Sequence, residues 1–262
     1  MNGRLLRWLL PMAGGTALVG LWYALRHAFG IPAWLLPVPH EILEALGRER
    51  ALIGAAAWQT TQSALLGFLS AAAGGLVCAI LLASSRPVRL ALYPYLLILQ
   101  MTPVIVLAPF IVLWAGRGMG SIVIVTFIVS FFPVVVNTTH GMVSTDRGLV
   151  ELFDVCNAGP LQRIFLLHLP FATPYYFAGL RIAATLAPIG AIFAEYVTGS
   201  IAGGTGGLGF LASVFNQRQM RAELLAVALT SCVLGFVFLA VIATVNRLLL
   251  RRWHASATPA DA

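Results

Sequence analysis

The side chains that could do chemistry are few in this chain, and they are dispersed. The five histidines include no His-x-x-x-His pair, the spacing that places two metal ligands on one helix face. No apolar segment holds two carboxylates that could share general acid–base work, and no order of serine, histidine and aspartate indicates a catalytic triad. We therefore predict no catalytic residue, no metal site and no cofactor on this chain.

One stretch, GSIAGGTGGLGF at residues 199–210, has the glycine content of a phosphate-binding loop. That motif needs a lysine to reach the phosphates, and the chain has none, because all sixteen of its basic residues are arginine. We therefore interpret residues 199–222 as a glycine-rich segment outside the membrane, with a short re-entrant helix over residues 208–215, rather than as a nucleotide site.

Three of the few acidic residues lie in one short connector. Only nine residues are Asp or Glu, yet Asp146, Glu151 and Asp154 fall within nine positions of one another. They lie between two apolar segments, in a stretch that we call the connector (residues 141–170). So many charges in so few residues indicate that the connector lies outside the membrane.

The connector has the local signals of a helix–turn–helix. Asn157 suits the left-handed conformation that ends a helix, and Pro160 suits the first turn of the next one. We expect that second helix to end at Pro170. The first helix carries an apolar stripe at three-residue steps, formed by Val150, Phe153 and Cys156.

The elements that position these residues belong to an integral membrane protein. The chain has 262 residues, of which 60% are hydrophobic and 10% charged, whereas soluble domains carry roughly 25% charged residues. A helix crosses the hydrocarbon core with about 20 apolar residues, and the windows are too long and uniform for barrel strands. We predict an all-α bundle of six transmembrane helices, near residues 8–25, 63–83, 91–114, 120–138, 174–198 and 223–246.

The arginines indicate the orientation of this bundle. If the N-terminus and the C-terminus are both cytoplasmic, nine arginines lie inside, six lie outside and Arg181 lies within a span, as the positive-inside rule favours. The connector is then cytoplasmic and residues 199–222 are periplasmic. We therefore attribute the net charge of +7 to orientation in the membrane, and we expect membrane lipid, not nucleic acid, among the partners.

Proline breaks in the third span indicate a possible path through the membrane. Pro94, Pro103 and Pro109 each remove a backbone donor, and broken helices in membranes are tolerated where they line a cavity. The alternative is an ordinary kinked helix. The residues that we assign to the path at this break are Gln100, Met101, Thr102 and Pro103.

Two ionisable residues, Arg181 and Glu195, fall inside predicted spans. Charges at such depth normally face a bundle interior or a cavity. Glu195 is therefore a further candidate for the pathway or its outer gate, and placement at the headgroup level is the alternative. A secondary carrier or channel and a membrane-embedded enzyme remain competing functions, although two such groups are few for a proton relay.

The connector resembles the cytoplasmic coupling loop of ATP-binding-cassette (ABC) importer permeases. That family's pattern is Glu-Ala-Ala, three residues, Gly, nine residues and Ile-x-Leu-Pro. Here the spacing is complete, with larger side chains at the two alanines and Asn157 in place of the glycine. The resemblance implies that an ATPase contacts the connector through Glu151, Leu152, Phe153, Asp154, Asn157, Ala158, Gly159, Leu169 and Pro170.

The resemblance extends over most of the chain. LLPVPHEILEAL, TPVIVLAPFIVLWAGRG, YYFAGLRIA and GGTGGLGFLASVFNQ are similar to segments of permeases for sulfonates, nitrate, taurine and heteroaromatic vitamin precursors. It implies that residues 1–262 form a single transmembrane domain of the type I ABC importer permease fold in a bacterial inner membrane. It also implies a homodimer, a separate ATPase dimer that binds ATP and Mg, and a periplasmic or lipid-anchored substrate-binding protein.

The third span also bears on the substrate. Sulfonate-type members of the family often have Arg-Pro-x-Pro-Pro where this chain has residues 100–104, QMTPV. Without that arginine, the chain resembles more closely the members that handle pyrimidine or flavin-like vitamin precursors. Sulfonate, taurine or nitrate is the alternative substrate class.

Overall fold

The computed structural model describes residues 3–32, 34–199 and 206–250. Within these ranges the chain forms helices joined by turns, with no strand, so the all-α prediction is confirmed. The predictions for the two chain ends, and for residues 200–205 of the glycine-rich segment, lie outside the described residues.

The helices follow one another with short connections. A π-helical turn, Ile164–His168, joins the eighth helix to the ninth without interruption. In chain order the helices are α1 (Gly3–Ala28), α2 (Pro39–Arg48), α3 (Arg50–Ser84), α4 (Arg86–Met101), α5 (Val104–Ala115), α6 (Met119–Val143), α7 (Arg147–Val155), α8 (Pro160–Arg163), α9 (Leu169–Thr198), α10 (Leu208–Gln217) and α11 (Arg221–Leu250).

The six apolar windows all fall on helices. Among the described residues, four helical segments are long and apolar enough to cross a membrane alone, namely Arg50–Ser84, Met119–Val143, Pro160–Thr198 and Arg221–Leu249. The bent pair α4 and α5 makes a fifth span if the two helices are counted together. The crossing of α1 stays a prediction.

Three of these helices form the centre of the bundle, because α6 packs against both α3 and α9. Small residues permit the close approach. A Cβ added at Gly67 of α3 would lie 2.5 Å from the Thr126 side chain, and one at Gly179 of α9 would lie 2.9 Å from the Pro133 carbonyl oxygen. The connector joins α6 to α9 and is therefore attached to the most tightly packed part of the fold.

The connector marks one end of the bundle. The last residues of α3 lie beside it, since Ser84 lines a cavity together with Pro160 and Arg163. At the opposite end, α2, α10 and the start of α11 pack on the first half of α3, burying Ile42 and Leu208. We refer to these as the connector end and the opposite end.

Candidate functional site

The connector begins with a capped helix. The Asp146 carboxylate accepts hydrogen bonds from the backbone N–H groups of Gly148 at 2.8 Å and Leu149 at 3.3 Å. An aspartate in this position stabilises a helix start by pairing N–H groups that have no helical acceptor. Asp146 therefore determines where α7 begins, and its carboxylate is already bound by backbone N–H groups.

The turn after α7 has the left-handed residue that the sequence predicts. Asn157 has φ = 49°. Its N–H donates to the Asp154 carbonyl, and the Ala158 N–H donates to the Phe153 carbonyl, both at 3.0 Å. These two bonds form a Schellman motif, and α8 begins at Pro160 as predicted.

We expect the effect of a substitution at Asn157 to depend on how well the new residue tolerates a positive φ. In Asn157→Val, a β-branched residue would have to adopt a conformation that costs about 1–2 kcal/mol. The connector should then open more often, and trypsin should cleave after Arg163 about tenfold faster. Asn157→Gly is the matched control and should leave the rate within about threefold. Equal cleavage of both variants would contradict this account of the turn.

An ion pair closes the same turn. The Arg163 guanidinium pairs with the Asp154 carboxylate, and its Nε–H also donates to the Ala158 carbonyl at 2.9 Å. Asp154 is thus held inside the connector. Glu151 is the one carboxylate of the three that has neither an ion pair nor a side-chain hydrogen bond within the described residues, which leaves it available for contact with another protein.

The helix that begins at Pro160 does not end at Pro170, and that prediction is wrong. The chain passes through the π turn into α9, where the Leu169 N–H donates to the Ile164 carbonyl five residues earlier. A proline lacks an N–H and clashes with the carbonyl four residues before it, and a π turn widens the helix at such a place. α8 is consequently continuous with the membrane-spanning α9.

The apolar stripe of α7 faces the protein only in part. Val150 and Phe153 are half-buried, whereas Cys156, the residue that caps the end of α7, is exposed. A second apolar row is exposed, and it continues onto α8. We call this row the connector surface, and its members are Leu149, Leu152, Val155 and Leu161. Of these, Val155 is 81% exposed and Leu161 is 70% exposed.

The third span is broken at the residues assigned to a path. α4 and α5 differ in direction by 103°, which is a break and not an ordinary kink. Thr102 and Pro103 have extended backbone between them. Gln100, Met101 and Pro103 are exposed and Thr102 is half-buried, so polar side chains and freed backbone groups lie at the surface of this break.

Glu195 lies in the opposite half of the fold and is buried, with 1% of its surface exposed. Its carboxylate accepts hydrogen bonds from the hydroxyl groups of Thr60 at 2.8 Å and Ser63 at 3.1 Å, and from the Gly209 N–H at 3.1 Å. The Leu208 N–H donates to the Thr60 hydroxyl at 2.9 Å. Glu195 therefore joins α9 to α3 and to the first turn of α10, and within the described residues it has no hydrogen bond to the α4–α5 break.

The glycines of the glycine-rich segment make this junction possible. A Cβ at Gly207 would lie 2.2 Å from the Glu195 carboxylate, and one at Gly209 would lie 1.9 Å from the Ile192 carbonyl oxygen. Sequence reasoning missed Thr60 and Ser63. Their spacing of three residues places both hydroxyls on one face of α3, but nothing in the sequence says which helix that face meets.

The sequence comparisons show which family the chain belongs to. Residues 72–254 match the model of the binding-protein-dependent transport system inner membrane component family. The chain belongs to this family. As the permease subunit of an ABC importer, it is embedded in the membrane and is not itself an enzyme, because ATP hydrolysis resides in a separate subunit. Family membership also implies a substrate-binding protein as a partner.

The permease is similar in sequence to several named transport proteins. A probable ABC transporter permease protein of Haemophilus influenzae is 34% identical over 86% of this chain and 89% of the relative. The riboflavin transport system permease protein RibX of Chloroflexus aurantiacus is 33% identical, over 91% and 88%. The formylaminopyrimidine transport permease protein ThiX of Halalkalibacterium halodurans is 34% identical, over 78% of each. Relatives named for aliphatic sulfonates, taurine and nitrate match at 26% to 30% identity.

The fold of the permease has also been seen in a solved transporter. A chain of the inward-facing MetNI methionine ABC transporter superposes with a TM-score of 0.65 at 18% sequence identity, covering 79% of this chain and 98% of that one. The predicted type I importer permease fold is thereby confirmed.

Proposed function

We propose that the permease transmits movement from an ATPase dimer to its transmembrane helices through the connector. The observation that carries this proposal is the connector surface, which exposes apolar side chains on both sides of a turn that is closed by its own hydrogen bonds, three of them on α7 outside the spanning segments. Exposed apolar side chains on a well-ordered surface are typical of a protein interface. Glu151 lies on the same helix and adds one unpaired charge to this surface.

The structure of the connector favours rigid transmission. α7 follows α6 after a short corner, and α8 continues into α9 through the π turn. At the corner, the Thr145 hydroxyl and the His168 ring nitrogen lie 3.0 Å apart. A displacement of the connector would therefore move α6 and α9 together, and a partner with different contacts in its two states is what such a switch requires.

In this proposal two copies of the permease form the pathway. ATP with Mg binds to the partner ATPases, and their closure moves the connectors. The bundle then opens outward, and ATP hydrolysis restores the inward-facing state. A periplasmic or lipid-anchored binding protein delivers the substrate at the opposite end. The connector and both chain ends are then cytoplasmic, in the inner membrane of a bacterium.

We propose a small heteroaromatic vitamin precursor, of the pyrimidine or flavin type, as the substrate. Two of the relatives with 33% and 34% identity are named for riboflavin and formylaminopyrimidine, and no arginine lies at positions 100–104. The alternative class is sulfonate, taurine or nitrate, for which more distant relatives are named. ATP-driven uptake into proteoliposomes that contain permease, ATPase and binding protein tests the choice. Uptake of taurine but not of riboflavin or formylaminopyrimidine would overturn it.

We expect substitutions at the α4–α5 break to change substrate handling. Gln100→Ala and Thr102→Val each remove one hydrogen-bonding group, which is worth about 0.5–1.5 kcal/mol. The KM for uptake should rise about two- to tenfold while ATPase association stays normal. Ser70→Ala is the control, because the exposed Ser70 hydroxyl donates only to the Leu66 carbonyl of its own helix. Unchanged kinetics in both break variants would remove these residues from the path.

A further inference from the structure

A cavity of about 290 Å³ lies between α4 and α6 near the connector end. Its polar members are a guanidinium, a phenol, a hydroxyl and an imidazole. Among the described residues, no carboxylate lines it. The lining residues are Arg89, Leu90, Tyr93 and Pro94 from α4 and Thr139, His140 and Val143 from α6.

The hydroxyl of Thr139 is unusual among the described helices. Thr139 is 2% exposed, and its Oγ1 has no hydrogen-bond partner within the described residues. Helical threonines otherwise donate to a carbonyl three or four residues earlier, as the neighbouring Thr138 does to Val134 at 2.6 Å. A buried hydroxyl without a partner costs free energy, so the cavity offers a donor that a ligand could satisfy.

Arg89 supplies the charge of this cavity. It is half-buried, and it forms no ion pair or side-chain hydrogen bond within the described residues. The carboxylates on the connector are Asp146, Glu151 and Asp154, of which the first is bound to backbone and the last to Arg163. Arg89 and the Thr139 hydroxyl therefore present donors to an anion, with no acidic side chain among the cavity walls.

The position of the cavity restricts the kind of anion. Arg89 lies in the first turn of α4 and His140 in the last turn of α6, where we expect the broken third span and α6 to reach the membrane surface. The apolar walls open outward, because Leu90 and Val143 are exposed. Basic pockets between spanning helices at this depth are suited to phospholipid headgroups.

We propose that this cavity binds the phosphate of an anionic phospholipid. The guanidinium of Arg89 and the hydroxyl of Thr139 donate to the phosphate oxygens, and the acyl chains run along Leu90 and Val143. An ordered lipid here would connect α4, the first half of the broken third span, with α6, which leads to the connector.

Thermal unfolding of the purified full-length permease, titrated with dioctanoyl phosphatidylglycerol, tests the proposal. We expect this lipid to raise the Tm of the wild-type protein, while dioctanoyl phosphatidylcholine and inorganic phosphate do not. In Arg89→Gln the apparent Kd for phosphatidylglycerol should rise about tenfold or more, because a charge-assisted hydrogen bond is lost. Arg86→Gln is the matched control, since exposed Arg86 lies on the same helix outside the cavity, and its Kd should stay within about twofold.

A second variant separates ligand binding from stability. Thr139→Val keeps the shape of the side chain and removes an unpaired hydroxyl, so the lipid-free Tm should stay the same or rise. The Kd for phosphatidylglycerol should nevertheless rise about threefold. An equal response to phosphatidylcholine, an Arg86→Gln effect as large as that of Arg89→Gln, or a Thr139→Val protein with wild-type lipid affinity would overturn the proposal. Arg89-dependent stabilisation by inorganic phosphate alone would overturn it in favour of a soluble anion.

Discussion

Replacement of Glu195 by alanine is expected to destabilise the permease by about 2–5 kcal/mol. The Thr60 hydroxyl, the Ser63 hydroxyl and the Gly209 N–H all donate to this buried carboxylate. Alanine would leave the Gly209 N–H unpaired in a buried site, and the Thr60 and Ser63 hydroxyls would have only the Ala56 and Gln59 carbonyls of their own helix as acceptors. Because the three donors belong to α3 and α10, the loss should loosen the whole opposite end of the bundle.

The measurement is thermal unfolding of detergent-purified protein, read by fluorescence-detected size exclusion. Glu195→Gln keeps one carbonyl oxygen as an acceptor and should lose less than the alanine variant. Glu44→Ala is the control, since Glu44 is exposed and outside every ion pair of the described residues, and it should stay within about 0.5 kcal/mol. A Glu195→Ala protein as stable as Glu44→Ala would show that the buried junction contributes nothing.

The second large effect is expected at the connector surface. Leu152→Arg places a charge in the middle of an exposed apolar row, so the permease should fold normally and lose its ATPase. Burial of an unpaired charge at an interface costs several kcal/mol, which predicts a loss of association of about a hundredfold or more. ATP-driven uptake should fall to background.

Association is measured by co-purification of the cognate ATPase with tagged permease, beside the thermal stability of each variant. Leu43→Arg is the matched control, because Leu43 is 60% exposed on α2 at the opposite end. It should retain the ATPase fully. Normal ATPase yield and transport with Leu152→Arg would mean that the partner docks elsewhere.

The parts of the permease that the sequence predicted well are those with local causes. Asn157 and Pro160 determine the turn of the connector through their own backbone preferences, and the structure confirms both. The apolar windows likewise identify helices, since residues that contact lipid must be apolar along a whole span. α3 nevertheless begins at Arg50, before the apolar window that starts near residue 63. Its first part packs against other helices and therefore does not need an apolar surface all around.

The features that could not be predicted from the sequence depend on contacts between residues that are far apart in the chain. Glu195 meets Thr60 across 135 positions of the chain, and no periodicity reveals which helix faces meet. Asp154 and Glu151 are equivalent contact groups in the sequence, and only the ion pair with Arg163 distinguishes Asp154 in the structure. Pro170 was expected to end a helix, and the π turn before it has no clear sequence signal.

The most direct test of the coupling account is a photo-crosslink from the connector itself. Benzoylphenylalanine at position 155, which is 81% exposed in the wild-type protein, should crosslink to the ATPase subunit in an assembled transporter that still takes up substrate with ATP. The same probe at position 43, on α2, should give no such product. Transport-competent complexes that crosslink to the ATPase from position 43 and not from position 155 would contradict the account.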